Sequence, residues 1–139
     1  MNRNTVFTNG CFDIIHLGHL QLLNFCKKFG GKLIIGINSD KSIRSIKGKN
    51  RPINNQKYRK TFLEELNIAD KIIIFNEDTP LNLIKKIKPN IIIKGDDYKK
   101  KNIVGIDVIK KWNGKAIIFK KKNMFSTTKI LKRVMSKWQ

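Results

Sequence analysis

The sequence predicts an α/β fold: a five-stranded parallel sheet between two layers of helices. Three observations predict it. Five short apolar runs recur along the chain. Segments of helical spacing separate them. The length, 139 residues, suits one such domain over 1–139 and would cramp two separate cores.

The first run, Thr5-Val6-Phe7-Thr8, is β-prone and ends at the turn signal Asn9-Gly10. Leu22, Leu23, Cys26 and Phe29 then recur at helical spacing, which predicts a helix over 20–29 stopped by Gly30-Gly31. Leu33-Ile34-Ile35-Gly36-Ile37 is apolar throughout, the mark of a strand buried on both faces. Asn38-Ser39-Asp40 offers a cap for a helix over 41–46, and Lys47-Gly48-Lys49-Asn50-Arg51-Pro52 is a polar loop.

Tyr58, Phe62, Leu63 and Leu66 share one side of a helix over 56–66. Ile72-Ile73-Ile74-Phe75 is the third strand. Asp78-Thr79-Pro80 starts a helix, with a capping side chain and proline in the first turn, that runs to about 87 before Pro89. Ile91-Ile92-Ile93 is the fourth strand, followed by the loop Lys94-Gly95-Asp96-Asp97-Tyr98. A helix over 106–112 stops at Asn113-Gly114, and Ala116-Ile117-Ile118-Phe119 is the fifth strand. Ser126-Thr127-Thr128 caps a last helix carrying Ile130, Leu131, Val134 and Met135.

Strands buried on both faces and joined by helices form a parallel, Rossmann-like three-layer α/β/α sheet with right-handed crossovers. Ligands in such sheets bind beyond the carboxyl ends of the strands. The loops after Thr8, Ile37, Phe75, Ile93 and Phe119 should therefore converge on the site.

Composition excludes several classes. With 40% hydrophobic and 9% aromatic residues, the chain has a core to bury, against wholesale disorder. No run approaches the roughly 20 apolar residues of a membrane span. The N-terminus lacks the longer apolar stretch of a signal peptide. The expectation is a cytoplasmic protein with no membrane partner. Thirty basic against ten acidic side chains leave a formal charge of +20. The excess is mostly lysine, spread along a chain also rich in Ile and Asn, which reads as compositional drift more than as a nucleic-acid face. Such a field still raises the encounter rate of phosphate-bearing molecules. Cys11 and Cys26 lack the spacing of a metal site and, without an export signal, argue against a disulfide framework.

The chemistry concentrates after the first strand. His16 and His19, the two histidines of the chain, flank Gly18 at a helix start. Residues three apart on a helix face the same way. Two imidazoles above a helix N-terminus, with its backbone donors and positive partial charge, suit a phosphorus centre that gains negative charge. Gly18 would let a phosphate approach the backbone. No carboxylate cluster or third histidine nearby supports a resident metal.

The segment from Thr8 to His19, reading T-N-G-C-F-D-I-I-H-L-G-H, resembles the first signature of the H-x-G-H nucleotidyltransferase, or cytidylyltransferase-like, superfamily. Phe125-Ser126-Thr127-Thr128-Lys129-Ile130 resembles its second signature. Asn38-Ser39-Asp40, the 47–52 loop, Glu77-Asp78-Thr79-Pro80 and the 94–98 loop look most like the D-glycero-β-D-manno-heptose 1-phosphate adenylyltransferase family. In many bacteria that activity is one half of a bifunctional kinase/adenylyltransferase. Glycerol-3-phosphate cytidylyltransferases share both end signatures and match the middle less well.

The resemblance implies transfer of AMP from ATP to a sugar 1-phosphate, with Mg²⁺ accompanying the nucleotide. His16 and His19 would donate to phosphate oxygens. The turn Thr8, Asn9, Gly10, Cys11, Phe12 would cradle the α-phosphate, and Asp13 would orient it or sit near the metal. Ser126, Thr127 and Thr128 would hold the β- and γ-phosphates. Arg59 matches a basic position near the triphosphate, and Lys47 is the candidate for the acceptor phosphate. Lys94, Gly95 and Asp97 would meet base and ribose. Asp96 stands where the heptose family often has a second glycine, so adenine and cytosine both remain open. Relatives suggest a homodimer.

Overall fold

The computed structural model describes residues 4–96, 102–120 and 127–137, with backbone alone at Thr127. Five strands form one parallel sheet: β1 (Thr5–Gly10), β2 (Lys32–Asn38), β3 (Lys71–Phe75), β4 (Ile91–Gly95) and β5 (Lys115–Phe119), in the order β3-β2-β1-β4-β5. The chain thus steps outward from β1 to β3, crosses back to β4 beside β1, and steps outward again. The point where the direction reverses lies between β1 and β4.

Register shows why a crevice opens there. β1 pairs with β2 along its whole length, from Thr5↔Lys32 to Gly10↔Ile37. With β4 it pairs only at Val6↔Ile91 and Phe7↔Ile92. Beyond Phe7 the two strands part, and their carboxyl ends leave room between them.

The apolar runs are buried as a doubly covered sheet requires: Ile37, Ile92 and Ile93 are wholly enclosed. Each such side chain stabilises the fold by about 1.5–3 kcal/mol. On one face, Val6, Leu33, Ile35 and Ile93 pack with Leu22, Leu23 and Cys26 of α1 (Leu17–Lys27) and Leu63 of α3 (Gln56–Glu65). On the other, Phe7, Ile34 and Ile92 pack with Leu83 and Ile84 of α4 (Leu81–Ile87) and Ile109 of α5 (Ile106–Ile109). α2 (Asp40–Lys47) follows β2, and α6 (Thr127–Lys137) is the last element.

Helix ends differ from the pattern in instructive ways. α1 begins at Leu17, three residues before the apolar spacing starts, because His16 caps it. Apolar periodicity marks the buried face and is silent about a cap supplied by histidine. α4 begins after Pro80, which is itself the cap residue and offers no side-chain cap bond, so proline does not occupy the first turn. The segment expected as a helix over 106–112 is one α-turn, α5, that tightens into a 3₁₀ turn over Lys110–Trp112. Among the described residues no helix is long and apolar enough to cross a membrane.

Candidate active site

The turn leaving β1 is built around Phe12. Its backbone is left-handed, with φ of 49°, and its ring is buried 5.0 Å from the ring of His19. Gly10 lies tightly against it: a Cβ there would stand 3.1 Å from the Phe12 ring. Asp13 follows, buried, and its carboxylate accepts the N–H groups of Ile53 and Asn54, each at 2.8 Å.

Two imidazoles then start α1. The N–H of Gly18 donates to Nδ1 of His16, and the N–H of His16 donates to Nδ1 of His19, both at 3.1 Å. These bonds satisfy helix-start donors that have no partner inside the helix. They also fix the tautomers: with Nδ1 accepting, each neutral ring carries its proton on Nε2 and can donate there. The rings lie 3.9 Å apart.

A cleft of about 360 Å³ opens at the carboxyl ends of the strands. Asn9, Gly10, Cys11 and Phe12 form one wall with His19 and Leu22 of α1. Asn38 at the end of β2, Ile46 and Lys47 of α2, and Asp78, Thr79 and Pro80 after β3 line it as well. Lys94 and Gly95 of β4, with Ile103 and Val104, complete it. Lys94 spans the parting between β4 and β1, and its Nζ donates to the carbonyl of Asn9 at 2.8 Å. The loops after four of the five strands converge as expected; the segment after Phe119 lies outside the described residues.

The frame behind the cleft is polar and buried. Arg59 of α3 is 1% exposed. Its Nε donates to the Asn54 carbonyl at 2.9 Å, and Nη1 donates to the carbonyls of Cys11 at 2.8 Å and Asn38 at 2.7 Å. Nη2 meets the Asp40 carboxylate at 2.8 Å. Asn38 donates to Ser42 Oγ at 3.0 Å, which donates to the Glu77 carbonyl at 2.7 Å, tying the end of β2 and the start of α2 to the loop after β3.

The structure therefore divides the expected site residues. Asn9, Gly10, Cys11, Phe12, His19, Lys47, Lys94 and Gly95 line the cleft together. His16 is not on its wall and meets it through the His19 ring. Thr8, expected in the cradle, lies inside β1, wholly buried and paired with Ile35. Gly18 is likewise buried, and its N–H is spent on His16. Arg59, expected beside a triphosphate, gives its guanidinium to three carbonyls and Asp40 in the frame. The Asp13 carboxylate, expected to orient the turn or sit near the metal, accepts two backbone donors of the loop before α3. Thr128 is exposed at the start of α6; Asp97 and Ser126 lie outside the described residues, as does the Thr127 side chain.

Sequence reasoning passed over Asn38, Asp78 and Thr79 as site residues, although each lies at or just beyond the carboxyl end of a strand. Asn54 was missed with no local signal to find it, because Asp13, the partner of its N–H and its side chain, lies 41 residues away.

Comparison with known proteins bears on the family and the fold. Residues 7–133 match the model of a family described as cytidylyltransferase-like. The chain is similar to the bifunctional protein HldE of Campylobacter concisus, 48% identical over 95% of this chain and 27% of that protein. It is 44% identical to the bifunctional protein HldE of Campylobacter jejuni, over 98% of this chain and 29% of that one. The chain thus spans little more than a quarter of the length of these relatives. Among solved structures, a lipopolysaccharide core biosynthesis protein from Thermoplasma volcanium superposes with a TM-score of 0.72 at 28% identity, covering 89% of this chain and all of that one.

Proposed function

Since the chain belongs to the cytidylyltransferase-like family and is a nucleotidyltransferase, we propose that it transfers AMP from ATP to D-glycero-β-D-manno-heptose 1-phosphate. The observation that carries this reading is the cleft at the β1–β4 parting, whose lining brings His19, Lys94 and Lys47 together. The choice of a heptose acceptor is supported by the middle segments of the sequence, by the kinship with HldE proteins, and by a neighbour named for lipopolysaccharide core biosynthesis.

In this reading a phosphate oxygen of the sugar 1-phosphate attacks the α-phosphorus of ATP. A new P–O bond forms, the bond to the β-phosphate oxygen breaks, and pyrophosphate leaves with the electron pair. The products are ADP-heptose and pyrophosphate. The nucleophile is already anionic at neutral pH, so positioning and charge stabilisation carry the rate. His19 donates from Nε2 to the phosphate that gains charge. His16 fixes the helix start from which His19 projects. Lys94 holds the Asn9 carbonyl and brings positive charge to the floor. Lys47 receives the acceptor phosphate. Ser126, Thr127 and Thr128 take the β- and γ-phosphates, and Asp97 the ribose.

Among the described residues no group of three or more His, Cys, Asp or Glu forms a metal cage. Asp78 is the carboxylate on the described cleft wall. This donor set fits a Mg²⁺ ion carried in on phosphate oxygens and water. Such an ion, when bound, neutralises phosphate charge.

The test is pyrophosphate release from a grid of nucleotides and acceptors: ATP or CTP against heptose 1-phosphate or glycerol 3-phosphate. Release confined to ATP with the heptose supports the proposal. Turnover of CTP with glycerol 3-phosphate would replace the acceptor and the base. No release with any pair, together with tight RNA binding that weakens with salt, would make the chain a basic binding module.

A further inference from the structure

Asn54 stands outside the cleft wall, yet three of its groups are tied to the frame that shapes it. Its N–H donates to Asp13 Oδ1 and its Nδ2 to the Asp13 carbonyl, both at 2.8 Å. Its own carbonyl accepts from Arg59 Nε at 2.9 Å. Next to it, the N–H of Ile53 donates to Asp13 Oδ2 at 2.8 Å. Arg59 Nη1 closes the circuit on the Cys11 carbonyl at 2.8 Å. Three bonds thus fasten two residues of the 48–54 loop directly to the turn that carries Cys11 and Phe12, and Arg59 bridges the same two pieces with two more.

Both fastened pieces lead to the lining of the cleft. The turn lines it with Cys11 and Phe12, beside His19. The loop follows Lys47, the last residue of α2, which lines it too. The geometry points to Asn54 and Asp13 as a positioning pair that sets the distance between nucleotide and acceptor phosphate. The inference rests on the proposed reading of the cleft. A loop held only for stability needs partners anywhere in the core; this one takes Asp13, or Arg59, which itself holds the same turn. In a near-attack geometry, a misplacement of about 1 Å costs on the order of 10²-fold in rate. A clamp between the two substrate-bearing pieces limits such misplacement.

The experiment compares Asn54→Ala with Asn55→Ala in the full chain. Asn55 caps α3 through the N–H of Tyr58 at 2.8 Å and has no hydrogen bond to the turn among the described residues. Three quantities are measured: ATP affinity by calorimetry, KM for the acceptor in pyrophosphate release, and trypsin cleavage after Lys47 and Lys49. Asn54→Ala should raise acceptor KM roughly tenfold or more, leave ATP affinity within about twofold, and speed cleavage. Asn55→Ala should leave acceptor KM and cleavage near wild type. Equal changes in both variants, or equal loss of ATP and acceptor binding in Asn54→Ala, would overturn the pairing. Should Asn54→Ala fail to fold, Asp13→Asn, which retains one accepting oxygen, is read against the same expectations. If the wild-type chain releases no pyrophosphate with any pair, the proposed function fails. The clamp is then decided by trypsin alone: cleavage accelerated in Asn54→Ala and not in Asn55→Ala upholds it, and unchanged cleavage sinks it.

Discussion

Arg59 and Asp40 meet at 2.8 Å, with the arginine side chain wholly enclosed and the aspartate a quarter exposed. Water reaches Asp40 and screens the pair, so the charge attraction alone is modest. The enclosed guanidinium also serves the carbonyls of Cys11, Asn38 and Asn54. Replacing it strands those acceptors and a carboxylate together. Arg59→Met should therefore destabilise the chain by about 3–5 kcal/mol. Urea denaturation checks this through the midpoint at unchanged slope. An unaltered midpoint would mean that the guanidinium serves the cleft and not the frame.

His19 has two separable tasks. Nδ1 accepts the His16 N–H at the helix start, and Nε2 carries the proton that can reach the cleft. His19→Ala loses both. It should lower kcat by roughly 10²–10³ and stability by about 1 kcal/mol. His19→Asn keeps an acceptor for the His16 N–H and loses the Nε2 donor. It should recover most of the stability and little of the rate. Recovery of the rate along with the stability would assign the effect to the cap.

Lys47 sits at the end of α2, exposed, on the cleft wall. A charge-assisted bond to a phosphate contributes about 1.5–3 kcal/mol. Lys47→Ala should accordingly raise acceptor KM by roughly ten- to hundredfold, with ATP affinity unchanged. A matching loss of ATP affinity would place the lysine on the triphosphate instead.

How far these residues could be read from the chain follows from the range of their contacts. The sheet was legible because each strand is a run of its own, and burial on both faces writes itself into that run, as in Ile91, Ile92 and Ile93. His19 was legible because it pairs with His16 around Gly18 at a helix start, and Lys94 because it sits where a strand ends. Arg59 was read by resemblance as a phosphate ligand, and the structure gives it to carbonyls 5, 21 and 48 residues away. No local pattern encodes which carbonyls a guanidinium will find. The Asp13–Asn54 clamp was illegible for the same reason: both are ordinary turn residues until folding brings them together.

The two cysteines should differ sharply toward alkylation. Burial pushes the Cys26 thiol up to about 12. Its thiolate, the reactive form, is then scarce at any pH where the chain is handled. Cys11 is half-buried on the cleft wall. A maleimide at neutral pH should label Cys11 alone, ATP should slow that labelling, and Cys26 should react only after denaturation. Mass spectrometry of tryptic peptides reads each site. Labelling of Cys26 in the folded chain, or no protection of Cys11 by ATP, would contradict the placement.

Gly10→Ala tests how the turn transmits strain. A Cβ at Gly10 would stand 3.1 Å from Cε2 of Phe12, closer than a comfortable contact, so the ring must shift by a few tenths of an ångström. Phe12 is 3% exposed and cannot swing into solvent, and the His19 ring is its neighbour at 5.0 Å. Gly10 itself lies within β1 and has no left-handed backbone, so the cost is one of contact and not of conformation. Overpacking of this kind costs about 1–3 kcal/mol, and displacement of His19 should lower kcat/KM further. Phe12→Leu shortens the side chain that the new methyl meets. In the double variant the two changes should couple by roughly 0.5–3 kcal/mol in the compensating direction, with part of the lost rate returning. Strict additivity in both stability and rate would mean that the ring does not carry the displacement from Gly10 to His19.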